Sequence, residues 1–381
     1  MFCFLFLSFC FCSLESSCVT SQCCKYLSSA VFAKHSVLTA LQLRGNNLED
    51  EGMRLLCEGL RNPNCKLQIL EVESCGLTTK GCEFLSLTLS SEYSQLQELD
   101  LESNTLKDSG AIWLCEGIRS PHCKLHRLRL AFCQLTHECC KSFSSALSVE
   151  HSLLMELELE GNELGDEGVN LLCEGLRKPN CKLEKLWLDK CGLTSGCCGD
   201  LSSALCTEHS RLTELHLGDN KLANSGVQLL CKGLRSLNCK LERLRLWSCG
   251  LTSKCCESLL SALCAEHSNL TVLDLTENNL TDAGARLLCE ALRNPNCKLE
   301  KSAASLNKIS LPLFHSQSQE RKSKTKSDTV TVMEISANYL PTHFSQSSST
   351  VCAGPSNMMK DSFRQMIPRL PVSEMTFLYI A

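Results

Sequence analysis

Cysteine has the widest chemistry of the side chains in this sequence, since a thiol can bind metal, form a disulfide or act as a nucleophile. Thirty of the 381 residues are cysteine. The sequence contains no C-x-x-C pair, and His137, which lies close to a Cys-Cys pair, has no counterpart in the related segments. The pattern therefore argues against a zinc site and predicts no bound metal.

The spacing of the cysteines favours a structural role over a reactive one. Three series share one repeat interval: Cys57, Cys115, Cys173, Cys231 and Cys289; Cys65, Cys123, Cys181, Cys239 and Cys297; and the pairs Cys139-Cys140, Cys197-Cys198 and Cys255-Cys256. A cysteine that recurs on one helix face is a small buried apolar side chain. Disulfides are the alternative, but so many neighbouring thiols would cross-link in an oxidising compartment. The thiols therefore predict a cytoplasmic protein that oxidation unfolds.

The chain also lacks the common sequence motifs of enzymes, which favours a structural role for its residues. The chain has no G-x-x-x-x-G-K-[ST], no G-x-S-x-G and no H-E-x-x-H motif. His151, His209 and His267 lie 58 residues apart, so the repeat places them, and they are predicted to be turn residues. We expect a protein that is not an enzyme and that has no cofactor.

An internal repeat dominates the chain. The pattern L-x-x-L-x-L-x-x-(N/C)-x-L recurs at a constant interval of 29 residues. Its first leucines are Leu38, Leu67, Leu96, Leu125, Leu154, Leu183, Leu212, Leu241, Leu270 and Leu299. One such unit cannot bury its own apolar face, whereas stacked units bury a continuous core, so the repeat predicts a solenoid.

Two kinds of repeat alternate and differ at the ninth position. Asparagine stands there in one kind: Asn46, Asn104, Asn162, Asn220 and Asn278. Cysteine stands there in the other: Cys75, Cys133, Cys191 and Cys249. We expect both side chains to satisfy backbone groups where the chain turns out of the strand, asparagine by hydrogen bonding and cysteine as a weak donor.

Each repeat predicts a short strand followed by a helix. The L-x-L-x-L alternation turns its leucines into a core, and Leu55, Leu56 and Leu60 then recur at helical spacing. Predicted N-cap residues are Asp50, Asp108, Asp166, Asp282 and Asn224 in one kind of repeat, and Thr78, Thr136, Thr194 and Thr252 in the other. The predicted fold is α/β, with parallel strands on the concave face of a curved solenoid and helices on the convex face.

The alternating asparagine and cysteine repeats resemble the ribonuclease-inhibitor type of leucine-rich repeat. That type occurs in cytosolic ribonuclease inhibitors and in the carboxy-terminal region of NACHT-LRR (NLR) immune receptors. The phrases LCEGLRNPNCKLQIL and CGLTSKCCESLLSAL look especially like the repeats of NLR receptors in fish. The resemblance implies a horseshoe-shaped scaffold that binds other proteins without catalysis, and it implies that oxidation unfolds the array.

The two ends of the chain depart from the repeat. Residues 1–13 are apolar and fit either a weak signal segment or a truncated repeat, and residues 14–300 form the predicted array. Residues 301–381 carry nine Lys/Arg and five Asp/Glu and are predicted to be disordered. The basic run at 321–326 fits a solvated linker better than a localisation signal.

The third, fifth and seventh residues of each repeat are expected to face the concave side. Eleven of them are acidic and six basic across nine repeats, so this face has a net charge of −5. Candidate protein-binding residues are Trp187, Trp247, Glu71, Glu73, Glu98, Asp100, Glu102, Arg129, Glu156, Glu158, Glu160, Asp189 and Arg245. Trp113 is instead expected in the core.

Composition and repeat together leave three hypotheses. The net charge of −4 excludes a strongly basic nucleic-acid binder and gives no polybasic membrane signal. The first hypothesis is an NLR-like recognition module whose partner is an immune signalling component or a microbial ligand. The alternative is a cytosolic inhibitor that embraces a basic ribonuclease. A secreted decoy, using the apolar start, is the third.

Overall fold

The computed structural model describes residues 10–31, 33 and 35–303. The chain separates into two units, Met1–Leu313 and Phe314–Ala381, and all of the described residues lie in the first. The apolar segment 1–9, most of the predicted disordered tail and the basic run at 321–326 lie outside the described residues.

One parallel sheet runs through the described part of the chain, with its strands paired in sequence order. The strands are β1 (Phe11–Ser13), β2 (Ala40–Gln42), β3 (Ile69–Glu71), β4 (Glu98–Asp100), β5 (Arg127–Arg129), β6 (Glu156–Glu158), β7 (Lys185–Trp187), β8 (Glu214–His216), β9 (Arg243–Arg245), β10 (Val272–Asp274) and β11 (Lys301–Ala303). Each residue pairs with the one 29 positions later, as Leu70 does with Leu99. The sequence interval is thus the register of the sheet.

A helix connects each strand to the next, as parallel pairing requires. The helices are α1 (Ser21–Val31), α2 (Glu49–Leu60), α3 (Thr79–Leu89), α4 (Lys107–Ile118), α5 (Cys140–Ser148), α6 (Gly165–Leu176), α7 (Cys198–Leu205), α8 (Ala223–Leu234), α9 (Cys256–Leu263) and α10 (Thr281–Arg293). Short 3₁₀ turns at His137–Cys139 and Ser253–Cys255 precede α5 and α9. The predicted solenoid is confirmed, with strands on the concave face and helices on the convex face. No helix in the described part of the chain has both the length and the hydropathy that crossing a bilayer requires.

The paired strands extend from Phe11 to Ala303, whereas the repeat pattern placed the array at 14–300. At the start, Cys12 pairs with Leu41 in the first strand pair. At the end, Ser302 pairs with Leu273, although serine replaces the leucine that the repeat leads one to expect. Backbone pairing thus continues for three residues past each limit of the leucine pattern.

Each ninth-position asparagine satisfies backbone groups at the turn, as expected, and it also ties its repeat to the one before. Asn104 Oδ1 accepts the backbone N–H groups of Cys75 at 3.1 Å and Leu77 at 2.9 Å. Its Nδ2 donates to the carbonyls of Val72 and Leu101, both at 2.9 Å. Asn104 is buried, so these contacts satisfy backbone groups that water does not reach.

The ninth-position cysteines occupy the same place with fewer contacts. Cys133 Sγ donates to the carbonyls of Leu101 at 3.2 Å and Ala131 at 3.4 Å. The backbone N–H of Cys133 donates to Asn162 Oδ1 at 3.0 Å. The alternation therefore lets an asparagine in one repeat satisfy the turn of the cysteine repeat before it.

The aspartates near the helix starts do not cap their own helices, so that prediction was wrong. The N-cap residue of α4 is Leu106, which makes no side-chain cap bond, and Lys107 has a φ of +57°. Asp108 instead accepts the backbone N–H of Thr136 at 2.8 Å and its hydroxyl at 2.9 Å. Thr136 accepts the backbone N–H of Glu138 at 3.3 Å and caps the 3₁₀ turn that leads into α5, so the predicted threonine cap is confirmed for that turn.

This relay across repeats recurs along the solenoid. The equivalent pairs, each joined by a bond to the threonine backbone N–H, are Asp50 with Thr78 at 2.8 Å, Asp166 with Thr194 at 2.8 Å and Asn224 with Thr252 at 2.9 Å. The aspartate or asparagine side chain of one helix therefore organises the start of the following helix.

The core is built from the predicted leucines and cysteines. Leu41, Leu56 and Leu60 are at most 2% exposed. All of the described cysteines are free thiols, and most are buried. Burial raises the pKa of Cys57 to about 12, which makes its reactive thiolate rare at neutral pH.

Trp113 contradicts its predicted place in the core, because 43% of its surface is exposed. It occupies the helix position of Leu55, which is itself only half-buried. That position lies at the margin of the buried face, so a larger side chain there extends onto the convex surface.

Candidate protein-binding face

The surface formed by the third, fifth and seventh residues of each repeat, here called the strand face, contains all of the predicted binding residues. Their exposure differs: Asp100 and Asp189 are buried, Arg245 is exposed, and Glu71, Glu73, Glu98, Glu102, Arg129, Glu156, Glu158, Glu160, Trp187 and Trp247 are half-buried. Both tryptophans thus lie on the predicted face, with part of each indole covered.

A row of alternating charges crosses the third positions of the repeats. Arg127 lies between Glu98, at 3.4 Å, and Glu156, and Lys185 contacts Glu156 at 2.6 Å. Burial alone would raise the pKa of Glu156, but hydrogen bonds from Lys185 and Arg127 hold it below its ordinary value. The register creates this arrangement, because residues 29 apart stand side by side on neighbouring strands.

A second row crosses the fifth positions. Arg129 lies between Asp100, at 3.3 Å, and Glu158, at 2.9 Å. Burial raises the pKa of Glu158 above its ordinary value despite the attraction of Arg129. We call these two rows, from β4 to β7, the ion-pair ladder. Because its carboxylates are matched by neighbouring cations, it presents less negative charge than the sequence count suggests.

Glu73, Asp100 and Glu102 form the single group in the described part of the chain whose side-chain ligand atoms lie close enough to hold a metal ion, within 4.8 Å of one another. Burial, followed by the charges of Glu73 and Asp100, raises the pKa of Glu102 to about 7. Arg44 pairs with Glu73, and Arg129 pairs with Asp100. These arginines already compensate two of the three carboxylates.

A different cluster occupies the strand face near β7, β8 and β9. The Trp247 indole Nε1–H donates to Asp189 Oδ1 at 2.9 Å, and the Gly218 backbone N–H donates to the same oxygen at 2.8 Å. The indole lies directly over Gly218, where a Cβ atom would come within 1.9 Å of Nε1. Burial raises the pKa of Asp189 to about 6. Asp189 therefore fixes the position of the Trp247 indole over Gly218.

Trp187 packs edge-to-face on His216, with ring centroids 5.1 Å apart and the ring planes at 72°. The His216 Nε2 atom lies 2.8 Å from Glu214 Oε1, and both of these residues are buried. Burial lowers the pKa of His216 to about 4, so the ring is neutral at physiological pH. Trp187 thus rests on an uncharged support.

Phe132 and Lys190 complete this region, and the sequence analysis missed both. They stand at the eighth position of their repeats, with φ values of +54° and +53°. The Lys190 ammonium lies 5.8 Å from the ring centroids of both Phe132 and Trp247. The Phe132 ring covers Gly161, where a Cβ atom would come within 2.2 Å of the ring. We call Phe132, Lys190 and Trp247 the aromatic platform.

A sequence signal for the aromatic platform existed. Most eighth positions carry a small residue or a short polar one, such as Gly45, Ser74 and Ser103, so phenylalanine and lysine there are exceptions. His216 was also missed, because only charged residues and tryptophans were sought at the fifth position.

Cations are generally more exposed than their carboxylate partners on the strand face. The exposed fractions of the side chains are 49% for Arg243 against 11% for Glu214, and 45% for Arg44 against 16% for Glu73. The contact of Arg127 with Glu98 is the exception, since Glu98 is more exposed. A partner would therefore meet guanidinium and ammonium groups in front of most of these carboxylates.

The chain is similar to known proteins across most of its length. A family model described as Leucine Rich repeat matches residues 34–57, 64–86, 95–115, 150–173, 210–231 and 266–289. Successive segments start roughly one or two repeat lengths apart and cover strands and helices that the structure places in the solenoid.

Among curated proteins, the ribonuclease inhibitor of Mus musculus is 40% identical over 330 residues, covering 86% of this chain and 70% of that protein. The NACHT, LRR and PYD domains-containing protein 3 of Rattus norvegicus is 40% identical, covering 83% of this chain and 25% of that protein. The NACHT, LRR and PYD domains-containing protein 12 of Homo sapiens is 46% identical, covering 74% and 26%. The chain thus spans about a quarter of these NACHT relatives. It belongs to the leucine-rich-repeat proteins of the ribonuclease-inhibitor type.

Proposed function

We propose that this protein is a non-enzymatic recognition module of an NLR-like innate-immune protein and binds a protein partner on the strand face. The observation that carries the proposal is the fixed position of Trp247, whose N–H is bound to Asp189 while its side chain is only half-buried. A large aromatic side chain held in place contributes contact area at little entropic cost. The relationship to NACHT-containing relatives supports the immune context.

Between β3 and β5 the shape of the strand face supports a protein partner over a small molecule. The cavity between β3, β4 and β5, lined by Ile69, Asp100 and Arg127 among others, holds only about 10 Å³. Ligand pockets for small molecules are on the order of 300 Å³ or larger. Binding at this part of the surface would therefore involve side chains spread over several strands.

Buried free thiols support a cytoplasmic location for this module. Cys139 and Cys140 are adjacent and buried, and the same arrangement recurs at Cys197 and Cys198. An oxidising compartment would favour cross-links at such pairs, which the packed core has no space to accommodate.

The test compares the reduced full chain with variants on the two faces. Trp187→Ala with Trp247→Ala should abolish co-precipitation of a cross-linked partner from immune-cell lysate. Trp113→Ala is the matched control, since it removes an indole that is 43% exposed on the convex surface. Circular dichroism must show that all variants remain folded. If the Trp187→Ala, Trp247→Ala double variant captured as much partner as the parent protein, binding through the strand face would be refuted.

A ribonuclease inhibitor is the second candidate, favoured by the 40% identity that extends over 70% of the mouse inhibitor. The test is binding of the reduced protein to basic pancreatic-type ribonucleases at low and physiological salt. Tight, salt-sensitive binding that blocks RNA cleavage would establish this function. The exposed arginines of the strand face lead us to expect weak binding.

A further inference from the structure

We infer that the strand face between β5 and β9 binds an acidic segment of its partner, in which carboxylates alternate with apolar side chains. This inference rests on the proposed function and adds the chemical class of the partner. Over all nine repeats the third, fifth and seventh positions carry eleven acids and six cations, which would favour a basic partner, but between β5 and β9 they carry five of each.

Differences in exposure shift the charge that a partner encounters in this region toward positive. Arg243 and Arg245 are both exposed on β9, and Arg243 covers the buried Glu214. Asp189 is also buried, and its Oδ1 accepts hydrogen bonds from Gly218 and Trp247 of this chain. A partner's carboxylates would thus reach guanidinium groups before they approached these acids.

The aromatic platform supplies a further cation with apolar surface on either side. The Lys190 ammonium lies between the rings of Phe132 and Trp247 and is 3.6 Å from Glu160 Oε1. An ammonium has three donors, so Lys190 retains capacity for a partner's carboxylate. Its side chain is 42% exposed, and so is Phe132. The rings offer surface for apolar side chains that flank that carboxylate.

The dimensions fit a short extended segment lying across the strands. Four strand spacings separate β5 from β9, which is roughly 19 Å at the usual spacing of parallel strands. An extended chain covers that distance with about six residues. A segment of alternating acidic and apolar residues would place carboxylates near Lys190 and Arg245 and apolar groups on the rings of Phe132 and Trp247.

The experiment measures fluorescence anisotropy of two labelled ten-residue peptides with the reduced full chain. One peptide alternates glutamate with leucine and phenylalanine, and the other has lysine in place of every glutamate. The acidic peptide should bind more tightly, and rising salt should weaken it. Lys190→Gln, and separately Arg243→Gln with Arg245→Gln, should each weaken it by about fivefold or more, as expected for losing a charge-assisted contact. Lys232→Gln in α8, an exposed lysine on a helix, is the control and should change nothing.

The outcomes separate this inference from the proposed function. Tighter binding of the lysine peptide, lost on Trp247→Ala, would overturn the acidic partner while supporting binding on the strand face. If either peptide bound and no strand-face variant changed its affinity, both the inference and the proposed binding through the strand face would be contradicted. Absence of acidic-peptide binding would overturn the inference, and the lysate experiment would then test the proposed function on its own.

Discussion

Trp247 donates its indole N–H to Asp189 Oδ1 at 2.9 Å, although the two residues lie 58 positions apart in the chain. The same oxygen accepts the backbone N–H of Gly218, which belongs to the repeat between them. One buried carboxylate therefore joins three successive repeats beneath a candidate binding surface. Its position couples the stability of the solenoid to the orientation of the indole.

Asp189→Ala should lower the free energy of unfolding by ~2 kcal/mol, because it leaves two donors without their acceptor. Urea denaturation of the reduced protein measures this change. Asp274→Ala is the matched control, since Asp274 Oδ1 accepts the Thr276 backbone N–H at 3.0 Å within its own repeat. Asp274→Ala should lower the free energy of unfolding by clearly less than Asp189→Ala does. Equal losses would show that the link to Trp247 and Gly218 adds nothing.

Asp108→Ala should cost ~1 kcal/mol, the usual value of a helix cap, because Thr136 loses two hydrogen bonds. Asp282 occupies the same position in α10, but no threonine of a following repeat contacts it within the described residues. Asp282→Ala should therefore change the stability by only a few tenths of a kcal/mol. Urea denaturation measures both changes. Similar losses of unfolding free energy in the two variants would instead indicate that each aspartate caps its own helix.

Gly168→Ala should destabilise the array, because a Cβ atom there would lie 2.9 Å from Cys140 Sγ and 3.2 Å from His137 Cα. Gly199→Ala in α7 is the matched control, since a Cβ atom there meets nothing within 4 Å. That change should stabilise the helix by roughly 0.5–1 kcal/mol. Combining Gly168→Ala with Cys140→Ala should recover part of the loss. Thermal denaturation measures these changes. Equal unfolding midpoints for Gly168→Ala and Gly199→Ala would contradict this packing.

Glu102→Gln should stabilise the protein at pH 8 by about 1–2 kcal/mol and make little difference at pH 5. The folded-state pKa of Glu102 is about 7, above the ordinary 4.5, because of burial and neighbouring carboxylates. The native state therefore binds this proton more tightly, and its stability falls as pH rises between these values. Urea denaturation of both proteins at each pH measures the difference.

Glu156→Gln is the control of opposite sign. Hydrogen bonds from Lys185 and Arg127 lower the pKa of Glu156, so its contribution is present above the unfolded pKa and lost as pH falls through the folded value. The variant should be less stable than the parent at pH 8, with a smaller difference in acid. A pH-independent effect of both variants would contradict these assignments.

Mild oxidation should lower the midpoint of thermal unfolding by about 5 °C or more, since added oxygen or a new disulfide does not fit the packed core. In the reduced native protein, a thiol reagent should first label exposed cysteines such as Cys10, Cys18, Cys23 and Cys289. Buried Cys57, with its pKa raised to about 12, should react only on unfolding. Unchanged stability after complete oxidation would refute a structural role for the thiols.

The 29-residue interval was enough to predict the solenoid, its parallel sheet and the buried face of leucines. A strand of three residues, such as Leu99 with its neighbours Glu98 and Asp100, shows little by itself, but repetition fixes both register and orientation. The roles of Asn104 and Cys133 also followed from the sequence, because a side chain that recurs at every turn has a recurring backbone partner.

Contacts between repeats were not visible in the sequence. Asp108 stands where a cap of its own helix is expected, yet the left-handed Lys107 shifts the helix start and directs the carboxylate to Thr136 in the next repeat. Trp113 similarly falls in a leucine position, and only the packing of helices decides that this position borders solvent.

The sequence by itself determined the repeat, the family and which residues share the strand face. Tertiary structure decided which of their charges remain accessible. A count of carboxylates and cations treats every side chain alike, whereas the long arginine side chains reach over the shorter, buried acids beside them. Arg243 above Glu214 therefore presents positive charge on a face whose sequence is acidic, since exposure depends on neighbours 29 residues apart that only folding brings together.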